Sequence, residues 1–279
     1  MTSNANKTQL RWIGSEETFV DQLDMQQIGP VAVGRFGGNS TAGQTKNEDG
    51  CMVWANAIAD WEFAVLFDAH QTAESAELVS AEIVRLENTI YHALSLPVNQ
   101  AFGELSEILL TAFGSERFKK ACSEVQGETA VLCAVRKGKF LWWLSIGDCL
   151  LYLFHPELKA LGEMQQNQRS FYQWIGKVNT FDLPVPCYST GTKELRKGTN
   201  HILLTTDGLV ECPNTAFSDP LEVAKRFEAA SNRRGIQALL EEIKEKHVRD
   251  STTILSWIIK VESESTRAGN QLAGETIAE

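Results

Sequence analysis

The stretch TAVLCAVRKGKFLWWLSIGDCLLYLFH, residues 129–155, reads as three consecutive strands. Its runs 129–136, 139–146 and 150–155 are dense in Val, Leu, Phe, Trp and Tyr, which suit a pleated surface. Lys137-Gly138 is expected as a tight turn between the first two, and Gly147-Asp148 as the corner before the third. The doublets Trp142-Trp143 and Leu150-Leu151 put bulky apolar groups on both faces of a strand, and both faces then need cover.

The flanking sequence supplies that cover. Earlier strand-like runs lie at 31–33, 51–57 and 62–67, with the turn residues Gly37-Gly38-Asn39 between the first two. The period then changes: between 72 and 94, apolar residues recur at 76, 79, 83, 86, 90 and 94, a helical spacing over about six turns. Pro97 ends this helix, and Phe102, Leu105, Leu109 and Phe113 mark a second one running toward Val125. Residues 156–199 are polar and irregular, with Pro184, Pro186 and Gly191, as expected of a functional loop or flap. A strand at 201–206, helical stretches at 221–230 and 234–248, and a strand at 252–261 complete the order. Helices arrive in pairs instead of alternating with single strands. This predicts an α+β fold, a four-layer α-β-β-α sandwich of two antiparallel sheets flanked by helical pairs. Residues 1–29 are expected as an N-terminal extension in which Ser15-Glu16-Glu17 caps a short helix carrying Phe19 and Leu23. The domain itself is expected over 30–261, and a disordered tail over 262–279.

The chain has 279 residues, 43% of them apolar, and 26 Lys+Arg against 36 Asp+Glu give a net charge of -10. That is enough apolar material for a real core. The acidity argues against nucleic acid and anionic membranes as partners. It leaves phosphate chemistry open, because carboxylates recruit divalent cations that reverse the local sign. Cysteines at 51, 122, 133, 149, 187 and 212 form no C-x-x-C pair, so buried free thiols in a reducing compartment are expected. Residues 1–10 lack the apolar run of a secretory leader. The longest apolar stretch, 140–154, is interrupted by Gly147-Asp148 and falls short of the roughly 20 residues that cross a bilayer. The expectation is a soluble, cytoplasmic monomer.

Five aspartates sit at edges of apolar runs beside turn-permitting residues. They are Asp49 before Gly50, Asp68 in Phe67-Asp68-Ala69-His70, Asp148 after Gly147, Asp207 before Gly208, and Asp250 before Ser251. Aspartate is depleted from strands, and one such case is an ordinary turn residue. Five fit better if the strand ends converge on hard cations that take oxygen ligands.

In this order the blocks resemble the metal-dependent protein phosphatase 2C family of Ser/Thr phosphatases. Asn47-Glu48-Asp49 is similar to its first acidic motif, Phe67-Asp68-Ala69-His70 to its Asp-Gly-His motif, and Gly127-Glu128-Thr129-Ala130 to its Gly-x-Thr-Ala entry. Gly147-Asp148-Cys149 resembles Gly-Asp-Ser, Thr206-Asp207-Gly208 its Asp-Gly block, and Asp250-Ser251-x-Thr its Asp-Asn-x-Thr. The resemblance spans residues 31–261 and implies the same α-β-β-α sandwich. It implies two divalent ions, Mn²⁺ or Mg²⁺, and hydrolysis of phosphoserine or phosphothreonine in a protein substrate by a water bridging the metals. Asp49 and Asp250 would each ligate one ion and Asp68 would bridge both. Ala69 would offer its backbone carbonyl, and Asp207 would complete the first site. Glu48 would hold a metal-bound water, and Asp148 with Asp207 could host a weaker third ion. His70 would protonate the departing oxygen. The usual phosphate-gripping Arg is replaced by Gln44, which leaves Lys46 or Arg35 to hold phosphate, Lys without the bidentate fork. Ala69 stands for Gly, Cys149 for Ser and Ser251 for Asn, changes that remove no carboxylate.

Two further readings stay open: a phosphatase-fold binding module with weak or no turnover, which Gln44 favours, and a small-molecule phosphomonoesterase. Gly38-x-x-x-x-Gly43-Gln44-Thr45 lacks the Lys of a P-loop, and no Cys is followed six positions later by Arg as in cysteine-dependent tyrosine phosphatases.

Overall fold

The structure, a computed structural model, describes residues 8–267. Strands β1 (Gln9–Ile13), β2 (Leu23–Ile28) and β3 (Val31–Phe36) come first, followed by the hairpin of β4 (Gly50–Asn56) and β5 (Trp61–His70). Helices α1 (Glu74–Arg85), α2 (Glu87–Ser95), α3 (Val98–Phe113) and α4 (Glu116–Glu124) lead to the three-strand run β6 (Glu128–Lys137), β7 (Phe140–Ile146) and β8 (Leu150–Phe154). The irregular region holds a short helix α5 (Pro156–Leu161), the two-residue β9 (Ile175–Gly176) and β10 (Ser189–Glu194). Then come β11 (Gly198–Thr205), α6 (Pro220–Glu228), α7 (Asn232–Glu245) and β12 (Thr252–Val261).

The strands make two sheets, antiparallel throughout. One is seven-stranded in the order β1-β4-β5-β6-β7-β10, with β9 paired to β6; the other is five-stranded, β2-β3-β12-β11-β8. Strands β7 and β8 are consecutive in sequence but belong to different sheets, so Gly147-Asp148 is the corner where the chain changes layer. Gly147 has φ +90°, and a Cβ there would stand 2.4 Å from the Cβ of Ala130, so the corner requires glycine.

The two-residue period sorts each strand between layers. In β4, Cys51 and Val53 enter the core between the sheets, while Met52 and Trp54 face the helices. Leu66, Leu132, Leu151, Leu204 and Trp257 fill the space between sheets. Val79, Ile83, Leu105 and Phe113 bring α1 and α3 onto the outer face of the larger sheet. Val223 of α6 and Ile236, Leu239, Leu240 and Ile243 of α7 cover the smaller one. The four-layer α-β-β-α sandwich expected from the sequence is the observed architecture.

Three local differences have physical causes. The long helix expected over 72–94 divides at Leu86, and the next divides at Gly114-Ser115, where the Ser115 hydroxyl accepts the Phe118 N–H at 3.3 Å and caps α4. No helix starts at Ser15. Phe19 and Asp21 instead take left-handed backbone, and the chain carries β1 into the larger sheet and β2 into the smaller. Cys187 is exposed; the other five cysteines are buried and free. Of the expected tail, only 262–267 lies within the described residues. There the Ser265 hydroxyl accepts the Lys197 N–H at 2.7 Å, and the Thr266 N–H donates to Glu194 at 3.1 Å.

His201 on β11 is 7% exposed, with Nε2 2.6 Å from the Ser256 hydroxyl and the Phe227 ring 4.4 Å away. Burial pushes its pKa down from 6.5 to about 4. The unfolded chain therefore takes a proton that the folded one refuses, and stability is full above the unfolded pKa and falls as pH drops toward the folded one. Urea unfolding is expected to show a loss of up to about 3 kcal/mol from this residue between those two pKa values. His201→Gln should flatten that part of the profile.

Candidate metal centre

The sheet registers bring the five aspartates to one end of the sandwich. Gly50 pairs with Phe67, which sets Asp49, just before β4, beside Asp68 on β5. Thr205 pairs with both Leu150 and Ile254, so the end of β11, the start of β8 and the start of β12 lie side by side. Asp148 precedes β8, Asp207 opens a 3-10 turn after β11, and Asp250 precedes β12. Two residues come from the larger sheet, two from the smaller, and Asp148 from the corner between them.

Asp68, Asp148 and Asp207 each offer an oxygen within 4.8 Å of the others. Asp49 is 3% exposed and Asp68 and Asp148 are 8% exposed, whereas Asp207 is half-buried and Asp250 reaches solvent. Oδ1 of Asp148 is buried with no hydrogen-bond donor. Burial raises the carboxyl pKa of Asp68, and the charges of Asp207, Asp49, Asp250 and Asp148 raise it further. Burial likewise raises Asp49, with Asp250 and Asp207 adding to it, and raises Asp207, with Asp148 adding to it. Asp250 is pushed up to about 7, by the protein packed around its carboxyl first and by Asp207 second. A cluster of oxygen donors that repel one another, one of them orphaned, suits hard divalent cations, which would supply the missing positive charge.

Other expected site residues are more scattered in their roles. His70 ends β5, is exposed, and lies edge-on to Trp174 with ring centroids 6.1 Å apart; its charge also reaches Asp148. Ala69 sits between Asp68 and His70, paired with Thr129. Glu48 is ion-paired with Lys46, whose ammonium also donates to the Gln71 carbonyl in the turn after β5. Lys46 is thus partly engaged. Arg35 is a correction. It is 1% exposed, ion-paired to Asp24 at 2.5 Å, with the Trp12 and Phe19 rings each 4.7 Å from its guanidinium, so it ties the two N-terminal strands together and is not free to hold phosphate. Gln44 is buried, with its amide oxygen accepting the Thr45 N–H at 3.3 Å.

The structure adds residues to which sequence reasoning gave no role. Arg169, from the irregular region, donates from Nε to the Asp148 carbonyl at 3.1 Å, and its Nη2 lies 2.7 Å from Glu211 and 3.8 Å from Asp207. Nothing in its local sequence marks it. Thr206 and Thr253 donate their hydroxyls to Asp49 at 3.1 and 2.7 Å. Both fall inside short motifs, and only the strand pairing shows what they touch.

No protein-family model matches the chain, and no curated protein does. Solved structures match well. A bacterial serine phosphatase aligns with a TM-score of 0.62 at 16% identity, over 84% of this chain and 98% of that one. The Mycobacterium tuberculosis serine/threonine phosphatase PstP/Ppp gives 0.57 at 16% identity, covering 84% and 98%. RsbX in complex with magnesium gives 0.55 at 14% identity, covering 85% and 100%. The resemblance read from the sequence therefore holds at the level of architecture: this chain has the protein phosphatase 2C fold, shared with bacterial serine/threonine phosphatases.

Proposed function

We propose that the chain is a metal-dependent protein phosphatase that hydrolyses phosphoserine and phosphothreonine. The convergence of five strand-end carboxylates on one cluster carries this reading. Asp49, Asp68, Asp207 and Asp250, with the Ala69 carbonyl, would hold two divalent cations, Mn²⁺ or Mg²⁺, and Asp148 with Asp207 a third. Bound there, the cations would acidify a water and offset charge on the phosphoryl oxygens. In the reaction the phosphorus–oxygen ester bond breaks and a water oxygen bonds to phosphorus, keeping one proton and releasing the other to solvent, which restores the one that His70 gives up. The leaving Ser or Thr oxygen takes a proton from His70, which stands at the solvent edge of the cluster. Of the two cations expected from the sequence to orient phosphate, Lys46 remains, ion-paired with Glu48.

The surface beside the cluster favours a large substrate. Phe171, Tyr172, Val178, Leu183, Val185 and Tyr188 are all exposed, and they account for six of the eleven exposed large hydrophobics among the described residues. The segment meets the centre through Arg169 and through Trp174 against His70. A phosphorylated polypeptide can use such a surface, whereas a sugar phosphate cannot.

Purified protein with Mn²⁺ is expected to release phosphate from a phosphothreonine peptide far faster than from a sugar phosphate. Turnover no greater than that of Asp207→Asn would sink the enzyme reading and leave the binding module that Gln44 favours. His70→Gln should lower kcat by about 10²- to 10⁴-fold while leaving Mn²⁺ binding intact. In chelator, Asp68→Asn should melt about 2–8 °C above the unsubstituted protein, because a repelled charge is gone. Adding Mn²⁺ should raise the melting temperature of the unsubstituted protein and hardly move the variant.

A further inference from the structure

Asp49 is the one member of the cluster gripped by side-chain hydroxyls. The Thr206 hydroxyl oxygen accepts the Thr253 N–H at 3.0 Å, and the Thr206 N–H donates to the Thr253 carbonyl at 3.1 Å. With one lone pair engaged by that amide, Thr206 donates its single proton to Asp49 Oδ2, at 3.1 Å. The Thr253 hydroxyl donates to the same oxygen at 2.7 Å. Both threonines are fully buried; Thr253 lies in β12 of the smaller sheet and Thr206 directly follows β11 of that sheet, whereas Asp49 leads into the larger one. The β-branched side chains are stiff at χ1, so the two donors are fixed before any ligand arrives.

We propose that Thr206 and Thr253 are positioning residues for Asp49. Two hydroxyl protons on Oδ2 hold the carboxylate in one orientation and leave Oδ1 to serve the cation cluster. The inference rests on the metal-dependent reading above, and it concerns residues that touch neither substrate nor cation. Hydrogen-bond partners of metal-binding side chains typically contribute 10- to 100-fold in affinity.

The full chain, stripped with chelator and desalted, is titrated with Mn²⁺ while the electron paramagnetic resonance signal of free Mn²⁺ is followed. Thr253→Val keeps the shape and removes the hydroxyl, and it should weaken Mn²⁺ binding about tenfold or more. Thr253→Ser keeps the hydroxyl and should stay within about twofold of the unsubstituted protein. Thr206→Val, measured in the same way, provides the test if Thr253→Val does not fold. Equal Mn²⁺ affinity in a folded valine variant, or a serine variant as weak as the valine one, overturns the proposal. An unsubstituted protein that takes up no Mn²⁺ overturns the metal-dependent reading as well, so the two failures are told apart.

Discussion

Strand β5 buries a carboxylate near each of its ends and treats the two in opposite ways. At its start, Glu62 receives the Arg136 guanidinium on both oxygens, at 2.6 Å from Nε, and Asp60 shares the same arginine. At its end, Asp68 faces four more aspartates, and the nearby Arg169 is shared with Glu211. Burying like charges together costs several kcal/mol unless an opposite charge arrives. The second end is therefore held together by everything else in the fold, chiefly the paired strands and the apolar core between the sheets.

That dependence explains the design of the layers. The donors come from both sheets, so the distance between sheets sets the distance between carboxylates. Packing of Leu66, Leu132, Leu204 and Trp257 fixes that spacing. The threonine hydroxyls bonded to Asp49 lock the same spacing at the rim of the core. Cation binding would add attraction across the gap, so the group that serves the chemistry would also relieve the strain that its own site imposes.

Much of this was legible in the sequence. The continuous apolar runs of 129–155 and the helical spacing of 72–94 report burial directly, and burial is what folding selects. The aspartates stood out because they interrupt apolar runs. The N-terminal strands did not: β2 reads LDMQQI, is mostly half-buried and has no alternation to betray it. Arg35 looked available because a sequence does not show the two rings and the carboxylate that enclose it. Thr206 and Thr253 were visible as letters, but the direction of a hydroxyl proton follows from strand pairing and so emerges only in three dimensions.

The smaller sheet has β12 as its central strand, bonded to β3 on one side and β11 on the other. A ribosome delivers β3 early and β12 late. Until then that sheet lacks its middle, its partners have only distant contacts to wait for, and Asp250 and Thr253 are not yet in place. The β4–β5 hairpin sets Asp49 beside Asp68 early, but the cluster is complete only once β12 has joined its sheet. Whatever chemistry the centre performs begins only when translation has passed Val261, a timer written into the order of the strands.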